Sequence, residues 1–318
     1  LSQKYDEINQ AVAKCHKEGE AFLAEGEKRP IVLQMGIENA YHIEGQCISG
    51  DVVGLRECSA QEKGQKKAEG TVLNSILPLE DQKRLTQDMA VFAEKTGLSG
   101  PNTIEVLVFD GVNPDTHALE KKWVFLEVNT RLQVEHLVTS AEKGTSVVGL
   151  VLANSLDIDC RRLLDHSTDY ATRHIRLTGF VDGDARIITT QEDMQVLMDK
   201  EFGQNVVKVR IKKNTEVDSA ADQQFGALLI SSERPDPALS NRVLSFFEKH
   251  FQAVGLVVPY RVIRSVLNAY EADQPYKVGQ YISPASPSQE ELNKQYKQNP
   301  STSLEERLIM PGGMGLVS

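Results

Sequence analysis

The sequence predicts a mixed α/β protein of about two domains, and two observations carry this prediction. The composition of the 318 residues, with 40% hydrophobic and 25% charged side chains, is that of a globular α/β protein. Short segments rich in β-forming residues also alternate along the chain with longer segments whose apolar residues recur at helical spacing. We therefore expect helices packed on a sheet.

The charge balance limits the partners of this chain. With 45 acidic and 35 basic side chains the net charge is -10, so nucleic acid and anionic lipid are not expected partners. Any bound anion must be held by a local cluster of cations. The longest apolar run, residues 147–153, is far shorter than the roughly 18 residues that suggest a membrane span, so no membrane partner is predicted.

The cysteines predict a reducing compartment. They form no CxxC pair and have no histidine at metal-ligand spacing, which argues against both a zinc site and a disulfide scaffold. Ordinary thiols are typical of the cytoplasm, or of the mitochondrial matrix if the source is eukaryotic. Because the chain starts at Leu1 with a charged amphipathic segment, it also looks like a piece of a longer polypeptide.

The first half of the chain predicts an antiparallel group of strands with two helices. Helical spacing covers residues 2–24, and a second helix is predicted over 80–94, where Gly97 follows as a stop. Short β-rich segments separated by glycine-bearing turns predict strands. These strands are expected at residues 31–35, 41–49, 52–56, 103–109 and 123–130.

The second half predicts further helices and strands followed by a linker. Residues 140–155 have a mostly apolar surface and predict a buried helix, and residues 170–230 have a β-like pattern. Proline favours the first turn of a helix, which predicts helices over 237–252 and 259–270. Residues 283–303 are rich in Ser, Pro, Gln, Asn and Lys, the composition of a linker.

One segment carries candidate chemistry, the run Glu-Val-Asn-Thr-Arg-Leu-Gln-Val-Glu-His that starts at Glu127. In an extended chain alternate side chains share a face, so Glu127, Asn129 and Arg131 project together, with Gln133 and Glu135 following if the strand continues. Arg131 offers a planar fork of donors that matches a small planar oxyanion. The segment therefore predicts one chemical face, with the other face structural.

A neighbouring strand predicts a metal site beside this face. Leu126 and Val128 are expected to point into a core, and Glu105 to lie beside Glu127 and Asn129 if the two strands pair as a hairpin. Carboxylate and amide oxygens are hard ligands that suit Mg²⁺ bound to substrate phosphates. The alternative from pattern alone is a solvated sheet face, since alternating polar residues on a strand are more often solvated than catalytic.

The residue order resembles the ATP-grasp signature of biotin carboxylases. Besides the run at 127–136, Tyr-His-Ile-Glu-Gly-Gln at 41–46 is similar to that family's His-x-Glu-x-Gln strand. Arg-Glu-Cys-Ser-Ala-Gln-Glu-Lys-Gly-Gln-Lys at 56–66 is similar to its Arg-Asp-Cys-Ser-x-Gln-Arg-Arg-His-Gln-Lys run. The resemblance is strong over residues 31–153 and moderate over 226–270.

The resemblance implies an α/β fold with an antiparallel ATP-grasp sheet and flanking helices, continued by a biotin carboxylase C-terminal lobe. It assigns residues 1–153 to a partial ATP-grasp subdomain and 154–275 to the C-terminal lobe, leaving 276–303 as the linker and 304–318 as the start of a further element. Its implied partners are biotin carrier and carboxyltransferase domains or subunits, and the family tends to form homo-oligomers.

The resemblance also implies an activity, the ATP- and bicarbonate-dependent carboxylation of biotin through carboxyphosphate, and a role for each matching residue. Glu105, Glu127 and Asn129 would hold Mg²⁺ or Mn²⁺ on the ATP phosphates. Bicarbonate would be bound by Lys66, Arg131, Gln133 and the Val134 backbone, with Glu135 as the base and Lys66, Arg131 and Glu135 as the catalytic residues. Gln34, Met35, Ile37, His42 and Gln61 would line the nucleotide cleft.

Departures from the family pattern keep a second hypothesis open. Glu62 stands where the family has Arg, which reverses a charge near the proposed anion site, and Gly64 stands where it has His. Leu228 replaces a Lys, and Val206 falls near the position of an expected biotin-contacting Arg. The chain is either the biotin carboxylase part of a larger carboxylase or a catalytically degenerate ATP-grasp module with a structural or assembly role.

Overall fold

A computed structural model of the chain divides into two compact units, residues 1–37 and residues 38–318. It describes residues 8–10, 12–13, 15, 37, 39–62, 65–73, 75–159, 170–204, 206–212, 224–233, 236–258, 260, 263–264 and 267–268, without the side chains of 59–62, 65–68, 180–185, 237 and 257. In the first unit residues 8–10, 12–13 and 15 are helical, as predicted for this segment. No helix among the described residues is long and apolar enough to span a membrane.

The described part of the second unit contains ten strands. They are β1 (Tyr41–Ile48), β2 (Asp51–Glu62), β3 (Gln65–Thr71), β4 (Pro101–Val112), β5 (Leu119–Asn129), β6 (Ala171–Thr178), β7 (Phe180–Ile187), β8 (Val207–Ile211), β9 (Gln224–Ser232) and β10 (Ala253–Val257). Eight of them form one sheet in the order β5-β4-β1-β2-β3-β6-β9-β8, in which all neighbours are antiparallel. Strands β7 and β10 pair separately. The predicted mixed α/β fold with a large antiparallel sheet is confirmed.

The described helices of this unit are α1 (Leu79–Thr96), α2 (His136–Glu142), α3 (Val147–Ser155), α4 (Gln191–Phe202) and α5 (Pro237–His250). Helix α1 ends at Gly97, whose φ of 67° places it in the left-handed region that glycine adopts without a steric cost. Helix α5 begins at the predicted proline, and the Asp236 side chain accepts a hydrogen bond from the backbone N–H of Ala238.

The sheet has an apolar face under helix α1. Leu85 and Met89 on the helix are completely buried against Ile43 of β1 and Ile104 of β4. Burying such a side chain stabilises the fold by roughly 1.5–3 kcal/mol. Residues of β1 alternate, so His42, Glu44 and Gln46 point to the opposite face, which we call the polar face.

A second core lies under helices α4 and α5. It is formed by apolar residues of β6, β8 and β9 packed against the helices, including Phe225, Leu228 and Phe247, all completely buried. The two cores hold the sheet at both ends. The central strands can therefore carry polar residues on one face, because apolar packing at both ends stabilises the sheet.

A β-bulge in β5 determines which side chains reach the polar face. Glu105 pairs with Glu127 but the next residue of β4, Val106, pairs with Phe125, so Leu126 is an extra residue. Phe125 is 42% exposed but stacks on Phe92 of helix α1, and Val128 packs against the apolar core. Leu126 is 38% exposed and belongs to none of the described apolar clusters. The expectation that Leu126 points into a core is wrong, because a residue in a bulge is removed from the alternation.

Two predicted elements differ from the structure, and a third is described in part. The single helix expected over 140–155 is two helices, separated at residues 143–146, and in α3 the side chains of Val148 and Leu152 are exposed rather than buried. Gly144 has a φ of 60°, which breaks the helix between them. Helix α4 lies inside the segment predicted to be β-like. Of the helix predicted over 259–270, residues 260, 263–264 and 267–268 are described, and they are helical.

Candidate functional site

A row of charged side chains crosses four strands on the polar face. Glu127 of β5 pairs with Glu105 of β4, Glu105 with Glu44 of β1, and Glu44 with Arg56 of β2. Residues that pair directly in antiparallel strands project from the same side of the sheet. Three carboxylates therefore stand side by side, and Arg56 is the cation that ends the row.

The two carboxylates and the amide predicted to form a metal site are together. The Nδ2 of Asn129 donates to Glu105 Oε1 at 2.7 Å and to Glu127 Oε1 at 3.0 Å. Both carboxylates thus converge on one point at hydrogen-bond distance. Glu105 is buried and Glu127 is exposed, so the point lies at the boundary between the sheet and solvent.

Two further predicted residues surround Glu105. The Nε2 of Gln133 donates to Glu105 Oε1 at 3.1 Å, and His42 Nε2 lies 2.7 Å from Glu105 Oε2. His42, Glu105 and Gln133 are each at most 5% exposed. Glu105 is therefore the common centre of the candidate metal residues, a candidate nucleotide residue and a candidate bicarbonate residue.

Arg56 is completely buried beside this centre and makes five hydrogen bonds. Its Nε donates to Glu44 Oε2 at 2.7 Å and its Nη2 donates to Gln133 Oε1 at 3.2 Å. The other acceptors are Gln46 Oε1, Thr139 Oγ1 and Thr103 Oγ1, at 3.2–3.4 Å. Sequence reasoning gave Arg56 no role, although it opens the Arg-Glu-Cys-Ser run.

Glu135 lies in a second charged cluster, formed with strands β3 and β6. Its Oε1 accepts a hydrogen bond from Nη2 of Arg176, which also lies 3.6 Å from Glu69 Oε1. Nδ1 of His174 is 2.7 Å from Glu69 Oε2, and Glu69 and His174 are at most 1% exposed. The predicted base is therefore 5% exposed and paired with a cation.

The prediction that one extended strand aligns Arg131, Gln133 and Glu135 is wrong. Strand β5 ends at Asn129, and the backbone N–H of His136 bonds to the carbonyl of Gln133 at 3.2 Å in the turn that starts α2. Gln133 reaches Glu105 from this turn, while Glu135 faces β6. Arg131 and Val134 are exposed in the same segment, and Val134 is 48% exposed.

The remaining predicted residues are placed less fully. Gln61 and Lys66 are paired in the register of β2 and β3, and their side chains are not described. Ile37 is partly buried in the first unit. Gln34 and Met35 lie outside the described residues.

His42, Glu44 and Cys58 form a third group on the polar face. Their possible ligand atoms all lie within 4.8 Å of one another, and Cys58 Sγ donates to Glu44 Oε1 at 3.5 Å. The Glu44 carboxylate already pairs with Arg56, and a fixed guanidinium beside the group opposes a second cation there. The group is better described as a hydrogen-bonded part of the Arg56 network.

Sequence reasoning missed most of the second cluster. Glu69 and His174 were given no role. The alternation of His174 and Arg176 in a β-rich segment was the available signal. It does not reveal which carboxylates the other strands supply.

This fold, with its large antiparallel sheet and polar face, is that of the ATP-grasp class, as found in biotin carboxylases. Residues 1–157 match the family described as "Carbamoyl-phosphate synthase L chain, ATP binding domain". The similar proteins described next also confirm the predicted resemblance to biotin carboxylases.

Two curated relatives carry biotin-dependent carboxylase names. Mitochondrial pyruvate carboxylase of Rattus norvegicus is 33% identical over 140 residues, which are 42% of this chain and 11% of that protein. The mitochondrial propionyl-CoA carboxylase alpha chain of Caenorhabditis elegans is 33% identical over 138 residues, 42% of this chain and 18% of that one. The matches thus span less than a fifth of the length of these relatives.

A solved structure matches the fold. The biotin carboxylase domain of Hydrogenobacter thermophilus 2-oxoglutarate carboxylase, in complex with MgADP, ADP and bicarbonate, aligns with a TM-score of 0.57 and 18% identity. The alignment covers 83% of this chain and 54% of that one. At this identity the match establishes the architecture alone.

Proposed function

We propose that this chain is part of a biotin carboxylase, an ATP-dependent ligase that carboxylates biotin with bicarbonate through carboxyphosphate. The observation that carries the proposal is the convergence of Glu105, Glu127, Asn129 and Gln133 on the polar face, close in sequence to the paired Glu135. A solvated sheet face would have no reason to bury Glu105 and Gln133. The match of residues 1–157 to an ATP-binding family supports the same interpretation.

The residues present fit Mg²⁺ or Mn²⁺. Two carboxylates that converge at 2.7 and 3.0 Å on one polar atom supply the hard oxygen ligands that these cations prefer, and Asn129 adds an amide oxygen after rotation of its side chain. Glu105, Glu127 and Asn129 would hold the cation. When bound, it offsets the charge of the ATP phosphates during phosphoryl transfer. We propose Gln34, Met35, Ile37, His42 and Gln61 for the nucleotide cleft.

The segment after β5 would bind the second substrate. In the proposal, bicarbonate is held by Arg131, Lys66, Gln133 and the Val134 backbone. Its planar oxygens match the guanidinium fork of an arginine. Glu135 takes the proton of bicarbonate, and the freed oxygen attacks the γ-phosphorus of ATP. ADP leaves and carboxyphosphate forms. Carbon dioxide released from it then bonds to the ureido nitrogen of biotin, and the phosphate takes the proton of that nitrogen.

Arg176 gives Glu135 the environment that this role needs. A carboxylate that is 5% exposed is unfavourable unless a cation and hydrogen bonds compensate it, and the guanidinium of Arg176 does both. Arg176 lies between Glu135 and Glu69 and offsets the charge of both carboxylates. Arg176 would then stabilise the negative charge that develops on bicarbonate.

The catalytically degenerate scaffold stays as a second candidate because of one observation. Leu228, which stands at the position of a family lysine, is completely buried in the core under α4 and α5, and Val206 packs against the same core. A core leucine cannot take the place of a charged ligand-binding group. On this reading the polar face would be kept for structure or assembly.

The proposal also includes a domain division, partners and a cellular location for this chain. Residues 1–153 would be part of the ATP-grasp subdomain and 154–275 the C-terminal lobe, with a linker over 276–303 and a further element from 304. Biotin carrier and carboxyltransferase domains or subunits would use the product, and the enzyme would be a homo-oligomer. The compartment would be the cytoplasm, or the mitochondrial matrix in a eukaryote.

Bicarbonate-dependent ATP hydrolysis by the full-length protein, with and without free biotin, tests the proposal. Because each cation would stabilise transition-state charge, we expect Lys66→Ala and Arg131→Ala to lower the rate by at least about 100-fold. Lys83→Ala on helix α1, which removes an exposed pair with Glu80, should leave it unchanged. A full-length protein that binds no Mg-ATP, or that is insensitive to both variants, would establish the scaffold instead.

A further inference from the structure

We propose that Arg56 is a positioning residue that sets the orientation of the Gln133 amide, and through it the arrangement of the Glu105 centre. Only the kinetic test of this proposal, described below, depends on the proposed function. Arg56 is completely buried on β2, and it contacts the segment that would bind bicarbonate through its hydrogen bond to Gln133. It acts on that segment through Gln133.

The hydrogen-bonding capacity of the two side chains fixes the orientation. An arginine has only donors and an ionised carboxylate has only acceptors, so a glutamine between them has one favourable rotamer of its amide. Gln133 has its Oε1 3.2 Å from Arg56 Nη2 and its Nε2 3.1 Å from Glu105 Oε1. A flipped amide would place its nitrogen against the guanidinium and its oxygen against the carboxylate, which loses both bonds.

Arg56 is itself held rigidly, which is what a positioning residue requires. Its five bonds reach β1 through Glu44 and Gln46, β4 through Thr103, and helix α2 through Thr139. The guanidinium has five N–H donors in a planar fork, and each bond uses one of them. The turn that carries Gln133 is thereby fastened to the sheet at one point.

A lysine cannot reproduce this arrangement. Its ammonium keeps the positive charge beside Glu44 but offers three donors from one point instead of five from a plane. Arg56→Lys therefore separates the charge of Arg56 from its geometry. We expect the variant to retain the ion pair with Glu44 and to release Gln133.

The first test needs no enzymatic activity. In the full-length protein, the side-chain amide protons of Gln133 should give a resolved NMR pair that exchanges slowly, and Arg56→Lys should move them toward the free-glutamine position and speed their exchange at least about tenfold. Gln195 is the internal control, because its amide is also bonded on both sides, to Val207 and Val209. Unchanged Gln133 signals, or equal changes at Gln195, would overturn the proposal.

The second test is a double-mutant cycle in bicarbonate-dependent ATP hydrolysis. If Arg56 acts through Gln133, the rises in bicarbonate KM for Arg56→Lys and Gln133→Ala will not add, while the KM for ATP changes less than twofold. Additive effects, or a fall in kcat alone with both KM values unchanged, would contradict it. Arg242→Lys, in an exposed pair with Asp236, is the matched control. A wild-type protein without bicarbonate-dependent ATP hydrolysis would refute the proposed function. The NMR result would still decide the role of Arg56.

Discussion

Glu105 and Glu127 lie directly opposite each other on neighbouring antiparallel strands, and both accept a hydrogen bond from the same nitrogen of Asn129. Two like charges at this separation repel unless a donor or a cation lies between them. The Asn129 amide supplies that donor. The pair is therefore ready to exchange one amide nitrogen for a divalent cation, and the first prediction tests this property.

Replacing Glu105 with Gln should weaken binding of Mn²⁺ in the presence of ATP by at least about tenfold, because it removes one of the two charges of the site. Electron paramagnetic resonance of the full-length protein measures free Mn²⁺ directly. Glu120→Gln is the control, since Glu120 lies on the neighbouring strand β5, at the end far from Glu127, and accepts a hydrogen bond from Asn113. Equal affinity for Mn²⁺ in the two variants would show that Glu105 is not a ligand.

Removing the cation between Glu69 and Glu135 should destabilise the protein strongly. Arg176→Met removes the cation beside Glu135 and leaves Glu69 with His174, and breaking a buried ion pair costs about 3–5 kcal/mol. Urea denaturation measures the loss in free energy of unfolding. Arg242→Met, which breaks the exposed pair with Asp236, should cost less than about 1 kcal/mol.

A second substitution distinguishes lost charge pairing from lost packing in this cluster. Adding Glu135→Gln to Arg176→Met removes one uncompensated charge, so part of the stability should return. If the double variant is instead less stable than Arg176→Met alone, the charge explanation is wrong. Circular dichroism confirms that each variant folds before its stability is compared.

Two glycines should respond oppositely to alanine. A Cβ on Gly226 would lie 2.6 Å from the backbone oxygen of Arg210, so Gly226→Ala must push β8 and β9 apart and should cost about 1–3 kcal/mol. A Cβ on Gly149 in helix α3 would lie 3.4 Å from Ser146, an ordinary contact, and should stabilise the helix by about 0.5–1 kcal/mol. The two melting temperatures should therefore move in opposite directions, and shifts of the same sign would contradict the packing of β8 on β9.

The thiol of Cys47 should resist alkylation in the folded protein. Burial raises the pKa of this thiol from 9.0 to about 12, since desolvation disfavours the thiolate more than Arg56 favours it. Iodoacetamide at pH 8 followed by mass spectrometry should modify exposed Cys15 and leave Cys47 unmodified. Modification of both at similar rates would contradict this burial.

The same shift predicts a direction for stability at high pH. The unfolded chain loses the Cys47 proton near pH 9 while the folded chain keeps it until about pH 12, so the thiol destabilises the fold progressively across that interval. The urea midpoint should fall between pH 9 and 12, and Cys47→Ala should reduce that fall. A Cys47→Ala variant with an identical dependence would assign the loss to other groups.

Much of the fold was predictable because local patterns decide it. The helix at 79–96 combines a helical apolar stripe with Gly97 as its stop, and the pairing of β4 with β5 follows from two adjacent β-rich segments. The metal residues Glu105, Glu127 and Asn129 were predicted to lie together, and they do. All of these depend on residues near each other in sequence or on one hairpin.

What was missed depends on contacts between distant segments. Glu135 meets Arg176 across 41 positions, and Arg56 meets Gln133 across 77. No local pattern indicates such partners, because they are set by the strand order of the whole sheet. The bulge at Leu126 was also not predictable, since apolar residues occupy 124, 125 and 126 and any of them could have been the extra one.

That bulge separates the length of β5 from the position of its chemical residues. Glu105 already pairs with Glu127 and Val106 with Phe125, so removing Leu126 would leave both pairs in register and keep Glu127 and Asn129 on the polar face. Evolution can therefore gain or lose this one residue without moving the carboxylates. In relatives, a one-residue gap here is compatible with a retained metal site, whereas replacement of Glu127 or Asn129 is not.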